Sequence, residues 1–122
     1  ITHGDWTPGS GERGIRMLLD WHPEMDALFA CNDQMALGAM KSARQLGRRI
    51  PEDLAIVGFD DIPEAPYFDP ALTTIHQDLS EMGREGVRQL ICLINNPAEH
   101  PTAEPIKLLP TLVVRQSSLS NG

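Results

Sequence analysis

The chain is short of cations. Ten Lys and Arg stand against 17 Asp and Glu in 122 residues, leaving a formal charge of -7. Binding to nucleic acid or to an anionic membrane draws on clustered cations that release counterions, so this balance argues against a naked binder of either. Any role at DNA has to use residues outside this chain. Cysteine is scarce as well: Cys31 and Cys92 lie in apolar runs rather than in a spaced framework. Such thiols read as free and buried, in a reducing compartment. No apolar stretch approaches the ~20 residues that a bilayer span needs. No basic-then-apolar segment opens the chain, which begins at Ile1-Thr2-His3 without an initiator Met and reads as a fragment of something longer. The histidines, at 3, 22, 76 and 100, never pair at metal-ligand spacing, and neither cysteine has a C-x-x-C partner. No G-x-S-x-G elbow is present, and nothing couples Cys31 to a particular His. The expectation is therefore no catalytic residue, no metal and no cofactor.

What is present is ordinary globular composition. With 41% apolar and 22% charged residues, disorder and collagen-like repeats are excluded. A chain of this length forms one domain with a modest core, removing roughly two thirds of its unfolded surface from water.

The hydrophobic periodicity then sets the class. Gly11, Gly14, Ile15, Leu18 and Leu19 follow the breakers Pro8 and Gly9 at helical spacing and predict an amphipathic helix over 10–20. Ala27-Leu28-Phe29-Ala30 suits a strand buried on both faces. Asn32 or Asp33 caps a second helix through Met35, Ala36, Ala39, Met40 and Ala43, stopped by Gly47. Leu54 to Phe59 is the best strand in the chain. Apolar run, helix, apolar run is the signature of a βαβ unit, so the class is α/β with a parallel sheet. Residues 60–71 are Asp- and Pro-rich and predict a loop, and Leu72 to Ile75 a short strand. Asp78 with Glu81 resembles a capping box ahead of a helix bearing Met82, Gly86, Val87, Leu90, Ile91 and Ile94. Residues 97–105 read as an exposed connector, Leu108 to Val114 as a last strand, and the tail after Arg115 as frayed.

Gly9-Ser10-Gly11-Glu12-Arg13-Gly14 matches G-x-G-x-x-G letter for letter, with Asp33 near the distance of a ribose contact. The fingerprint should follow an apolar strand, and Thr2, His3, Gly4 and Asp5 precede it instead. A flexible loop with close helix packing is the better account. Three other residues sit where an open α/β sheet places ligands, past the C-terminal ends of strands. Asn32 follows the strand at 27–30, Asp60 follows the strand at 54–59, and Trp6 follows the short extended opening. An Asp and an Asn fix hydroxyls, and an indole face stacks on a ring, which is the chemistry of a small polyol or nucleoside pocket. The alternatives stay open at this point: Asn32 as a helix N-cap, Asp60 as a turn former, Trp6 as core.

Several segments together resemble the lac repressor family of bacterial transcription regulators, in the C-terminal part of the effector-binding domain. They are Gly4-Asp5-Trp6, the run Ala30 to Ala39 (ACNDQMALGA), the run Arg49 to Asp61 (RIPEDLAIVGFDD), Pro70 to Gln77 (PALTTIHQ) and Leu109 to Arg115 (LPTLVVR). They follow the family's order from about residue 4 to residue 118. Periplasmic sugar-binding proteins share the Asn-Asp-x-Met-Ala-Leu-Gly and Val-Gly-Phe-Asp segments, whereas Pro-x-Leu-Thr-Thr-Ile and the closing Leu-Pro strand with Arg-x-Ser look like the repressor branch.

The resemblance implies a periplasmic-binding-protein-like lobe, here incomplete. Residues 1–77 would form part of the C-terminal lobe of the effector-binding core. Residues 78–107 would be a helix and connector that pack on the other lobe, and 108–122 the returning strand and tail. It carries the family's effector contacts over to Trp6 as stacking platform, Asn32 as hydroxyl partner and Asp60 as hydroxyl acceptor, with Gln77 at a lobe crossing. The implied ligand is a sugar or nucleoside-like effector, the implied assembly a homodimer, and the implied compartment the cytoplasm. Operator DNA would be bound only through a helix-turn-helix headpiece that this chain lacks, as it lacks the hinge helix, the first lobe's sheet and the usual Arg contact. A periplasmic sugar-binding component of a transporter is the alternative. The apolar face of the 78–95 helix has lost its natural partner, so the resemblance also implies self-association or refolding of that helix onto its own sheet.

Overall fold

The structure is a computed structural model describing residues 1–96 and 106–119. In chain order the elements are helix α1 (Pro8–Trp21), strand β1 (Ala27–Phe29), helix α2 (Asp33–Gln45), strand β2 (Ala55–Asp60), a short 3-10 turn (Ala65–Tyr67), strand β3 (Thr73–His76), helix α3 (Leu79–Asn95) and strand β4 (Thr111–Val113). One four-stranded sheet runs in the order β1-β2-β3-β4. β1, β2 and β3 are parallel, with Phe29 opposite Val57 and Asp60 opposite His76, while β4 runs antiparallel to β3. The class is α/β as expected, with one antiparallel strand added. The chain separates into two units, Ile1–His76 with the residues from Thr111 onward, and Gln77–Pro110.

In the first unit the helices begin and end for local reasons. α1 starts two residues earlier than its apolar pattern predicts, because Thr7 caps the amide of Ser10 and Pro8 fills the first helical position, where no backbone donor is needed. The G-x-G-x-x-G match is therefore not a loop: Gly9, Gly11 and Gly14 all lie inside α1. Close helix packing is the part of that expectation that holds. A Cβ on Gly11 would lie 2.0 Å from the Met35 carbonyl oxygen of α2, and one on Gly38 would lie 1.8 Å from the Pro8 carbonyl oxygen. Backbone meets backbone at this crossing, and any side chain would push the helices apart. Lys41 with Glu12 at 2.7 Å and Arg16 with Gln45 at 2.7 Å tie the same pair at its rim. α2 stops after Gln45 where Gly47 donates to the Arg44 carbonyl and Arg48 to the Ala43 carbonyl, a Schellman closure.

The core is small and alanine-rich: Ile15, Leu19, Ala36, Ala39, Met40, Ala43, Leu54, Ile56 and Leu72 are buried together. Ile56 and Gly58 of β2 are buried, while the alternate residues Ala55, Val57 and Phe59 are half-covered. β1 does not have two buried faces. It is an edge strand in which Ala27 and Phe29 are exposed and only Leu28 packs against the core. Neither cysteine is buried: both thiols are free and exposed. Cys31 falls past the end of β1 rather than inside it, and Cys92 lies on α3, which buries none of its residues.

The tail is not frayed through residue 118. Ser117 is fully buried, its hydroxyl donating to the Ile56 carbonyl at 2.6 Å and accepting from the Thr73 amide at 2.8 Å. Its backbone joins Ala71 and Ile56, and the Ser118 hydroxyl meets that of Thr73 at 2.7 Å. The turn after β4 is thus pinned to the sheet through both backbone and side chains.

In the second unit, Asp78 caps α3 by accepting from the Glu81 amide at 2.8 Å. The reciprocal half of the capping box is missing, since the Glu81 carboxylate pairs with Arg84 instead. Met82, Val87, Leu90, Ile91 and Ile94 are all exposed. The connector read at 97–105 lies outside the described residues.

Candidate functional site

Among the described residues three non-glycine positions carry a positive φ: Trp6 at 69°, Asp60 at 116° and Asp61 at 53°. Such conformations cost roughly 1–3 kcal/mol each and persist where the surroundings over-determine them, which is common at binding sites. Trp6 and Asp60 are two of the four residues carried over by the resemblance.

The surroundings of Trp6 explain its backbone. The Asp5 carboxylate reaches over it to accept from both the amide (3.1 Å) and the hydroxyl (2.5 Å) of Thr7. Asn32 then donates to the Trp6 carbonyl at 3.1 Å. The bridge across Trp6 turns the chain, and the indole is left 69% exposed. Trp6 is not core. The hydrogen bonds that build the turn, from the Thr7 hydroxyl first and then the Ser10 hydroxyl, hold the Asp5 carboxyl down at about 2.

Asn32 is the N-cap of α2, accepting from the Met35 amide at 2.8 Å. The capping alternative is therefore real. It does not exclude the other, because an amide that caps with its oxygen and anchors the Trp6 loop with its nitrogen still has a lone pair and a proton to offer. Asp60 is the last residue of β2 and stands opposite His76 of β3, so it belongs to the ladder and is more than a turn former. Asn32 and Asp60 both lie at the C-terminal edge of the parallel strands.

Behind that edge sits Asp33, fully buried at the first position of α2. One carboxylate oxygen accepts from the Thr74 hydroxyl at 2.6 Å, the other from the Ile62 amide at 2.9 Å. Asp33 thus fastens the helix to β3 and to the loop leaving Asp60. Gly58 is small for the same reason: a Cβ there would lie 2.2 Å from the Asp33 carboxylate. Asp61 is held from two sides, by Arg115 at 2.8 Å and by the His76 ring nitrogen at 3.1 Å. Neither the Arg115 pairing nor the hub role of Asp33 can be read from the sequence, because their partners lie 29 to 54 residues away.

Gln77 opens the second unit directly after β3. There it lines a shallow hollow of about 430 Å³ with Asp78, Glu81, Met82 and Lys107 to Pro110. Among the described residues no group of three His, Cys, Asp or Glu could hold a metal ion, and no helix is long and apolar enough to cross a membrane.

Residues 2–118 match the family described as periplasmic binding protein-like domain. The transcriptional regulator CelR of Thermobifida fusca is 41% identical over 119 residues, covering 96% of this chain and 34% of CelR. The regulator AscG of Escherichia coli is 39% identical over 98% of this chain, again 34% of its own length. The chain spans about a third of the curated relatives it matches. Among solved structures, the CelR–cellobiose complex superposes with a TM-score of 0.84 over 97% of this chain and 36% of that one. The lac repressor dimer bound to operator and the anti-inducer ONPF, at 34% identity, gives 0.84 over 96% of this chain and 40% of that one. The chain belongs to the periplasmic binding protein-like domain family, in the branch of the LacI-type transcriptional regulators.

Proposed function

We propose that this chain is part of an effector-binding core, mostly from its C-terminal lobe, in a cytoplasmic transcriptional regulator that senses a sugar or nucleoside-like molecule and has no catalytic activity of its own. The observation that carries the reading is the pair of positive-φ residues Trp6, turned by Asp5 and tied to Asn32, and Asp60, at the end of β2. An exposed indole on a fixed backbone offers a flat apolar face to a ring, and Asn32 and Asp60 supply a donor and an acceptor for hydroxyls. Gln77 is the fourth contact, at the crossing into the other lobe, with 78–107 belonging to that lobe and 108–122 returning from it. Sugar specificity is supported by CelR, whose structure is a cellobiose complex.

The protein acts as a dimer, and residues outside this chain bind the operator. The effector shifts the lobes and so couples its own site to the DNA site. The lac repressor, solved as a dimer on operator, supports that assembly. The test is calorimetric titration of the full-length gene product with cellobiose, lactose and adenosine. Saturable binding of one of them, weakened by Asp60→Ala in a folded protein, is the expected result. Binding of none, or binding indifferent to Asp60→Ala, overturns the assignment.

A further inference from the structure

We propose that Arg115, from the segment after β4, is the positioning residue that sets Asp60 for ligand, acting through Asp61. The inference rests on the effector-site reading above. Arg115 and Asp61 pair at 2.8 Å with side chains only 17% exposed each, the best-shielded of the ion pairs among the described residues. The guanidinium is aimed from two more points: its other nitrogen donates to the Leu72 carbonyl at 2.8 Å, and the Arg115 backbone exchanges hydrogen bonds with the Thr73 hydroxyl at 2.8 and 3.0 Å. A planar fork held at two points, on a backbone that is itself anchored, is a rigid strut, unlike a surface lysine.

What the strut holds is strained. Asp60 and Asp61 are consecutive non-glycine residues at positive φ, a state that a free Asp-Asp turn leaves readily. The Ile62 amide is fixed by Asp33 on the far side, and Asp61 by Arg115 on the near side. Asp60 itself ends β2 opposite His76, so its backbone is caught between the sheet ladder on one side and these two fixed residues on the other. His76 also reaches the Asp61 carboxylate, but half exposed and through one nitrogen, so it steadies the pair rather than aims it. The tail therefore governs a binding residue 55 positions earlier in the chain.

The experiment compares the full-length wild type with Arg115→Met, Arg115→Lys and Ser117→Ala. The Ser117 variant removes a buried hydroxyl from the same segment without touching the ion pair, and serves as the control for general loosening. Two readouts are taken well below each melting point. One is affinity for whichever of cellobiose, lactose and adenosine the wild type binds. The other is the NMR coupling and carbon shifts that report positive φ at Asp60. Arg115→Met should lose about 10- to 100-fold in affinity, the scale for removing a group that orients a direct contact, together with the positive-φ signature. Arg115→Lys should recover part of both, and Ser117→Ala should lose stability with affinity within about twofold. Unchanged affinity in folded Arg115→Met overturns this inference alone. Equal losses in Ser117→Ala reduce Arg115 to general scaffolding and overturn it too. If the wild type binds none of the three compounds, the effector-site reading falls and takes this inference with it.

Discussion

Asp33 and Gly58 should behave as a coupled pair. In Asp33→Ala the Thr74 hydroxyl and the Ile62 amide lose an ionised acceptor, and each such bond is worth roughly 1.5–3 kcal/mol. The loss of a favourable charge at the start of α2 adds a few tenths more. The expected destabilisation is about 3–5 kcal/mol, a large share of the 5–15 kcal/mol that holds an ordinary domain together. Gly58→Ala should cost about 1–3 kcal/mol by a different route, since its new methyl meets a carboxylate that two hydrogen bonds hold in place. In the double variant that carboxylate is gone. The methyl then faces Leu72 at 3.0 Å alone, and most of the second penalty disappears. Urea unfolding of the four proteins, with unchanged m-values, should show a coupling of at least about 1 kcal/mol. Losses that add within about 0.5 kcal/mol would refute the claim that Gly58 is small to admit Asp33.

Three further outcomes are expected. Trp6→Ala should weaken effector binding by about 1–3 kcal/mol, roughly 5- to 150-fold, with little change in melting temperature, because the exposed indole contributes little to the core; lost stability with unchanged affinity would return Trp6 to a packing role. Asp5 and Asp53 are held at about 2, Asp5 by the Thr7 hydroxyl and Asp53 by the Arg49 guanidinium, so what they contribute is present above their ordinary value of 3.8 and is lost as pH falls toward 2. Asp53→Asn should flatten the fall in urea midpoint between pH 4 and pH 2 (about one unit around each value), and an unaltered acid limb would contradict that assignment. The exposed apolar face of α3 should drive this 122-residue chain to self-associate at micromolar concentration in sedimentation velocity, since burying each Leu- or Ile-sized side chain is worth about 1.5–3 kcal/mol; a strict monomer with rapid amide exchange over 80–94 would contradict it.

Periodicity made most of the fold legible. The apolar faces of α1, α2 and α3 and the run of β2 stand at their own spacing in the sequence, and Asn32 before Asp33 marks the start of α2. What stayed hidden depends on partners far along the chain. Ser117 and Ser118 look like tail composition, yet their order comes from Ile56, Ala71 and Thr73. The glycines of α1 look like loop residues because glycine is a poor helix former, and only the crossing with α2 shows why Gly11 is needed. The turn at Trp6 was illegible for a different reason. No propensity places a tryptophan at positive φ; the Asp5 bridge and the Asn32 amide impose it. Of the four proposed site residues, Trp6 and Asp60 carry a positive φ, Asn32 caps α2, and Gln77 opens the second unit.

In the proposed regulation, ligand at Trp6, Asn32 and Asp60 controls a DNA site elsewhere in the protein. The most direct measurement is operator affinity of the full-length protein and its Asp60→Ala variant, each with and without the sugar or nucleoside that the wild type binds. Equal affinity for operator without ligand, and a ligand response in the wild type alone, are the expected results. An undiminished response in Asp60→Ala would contradict that regulation.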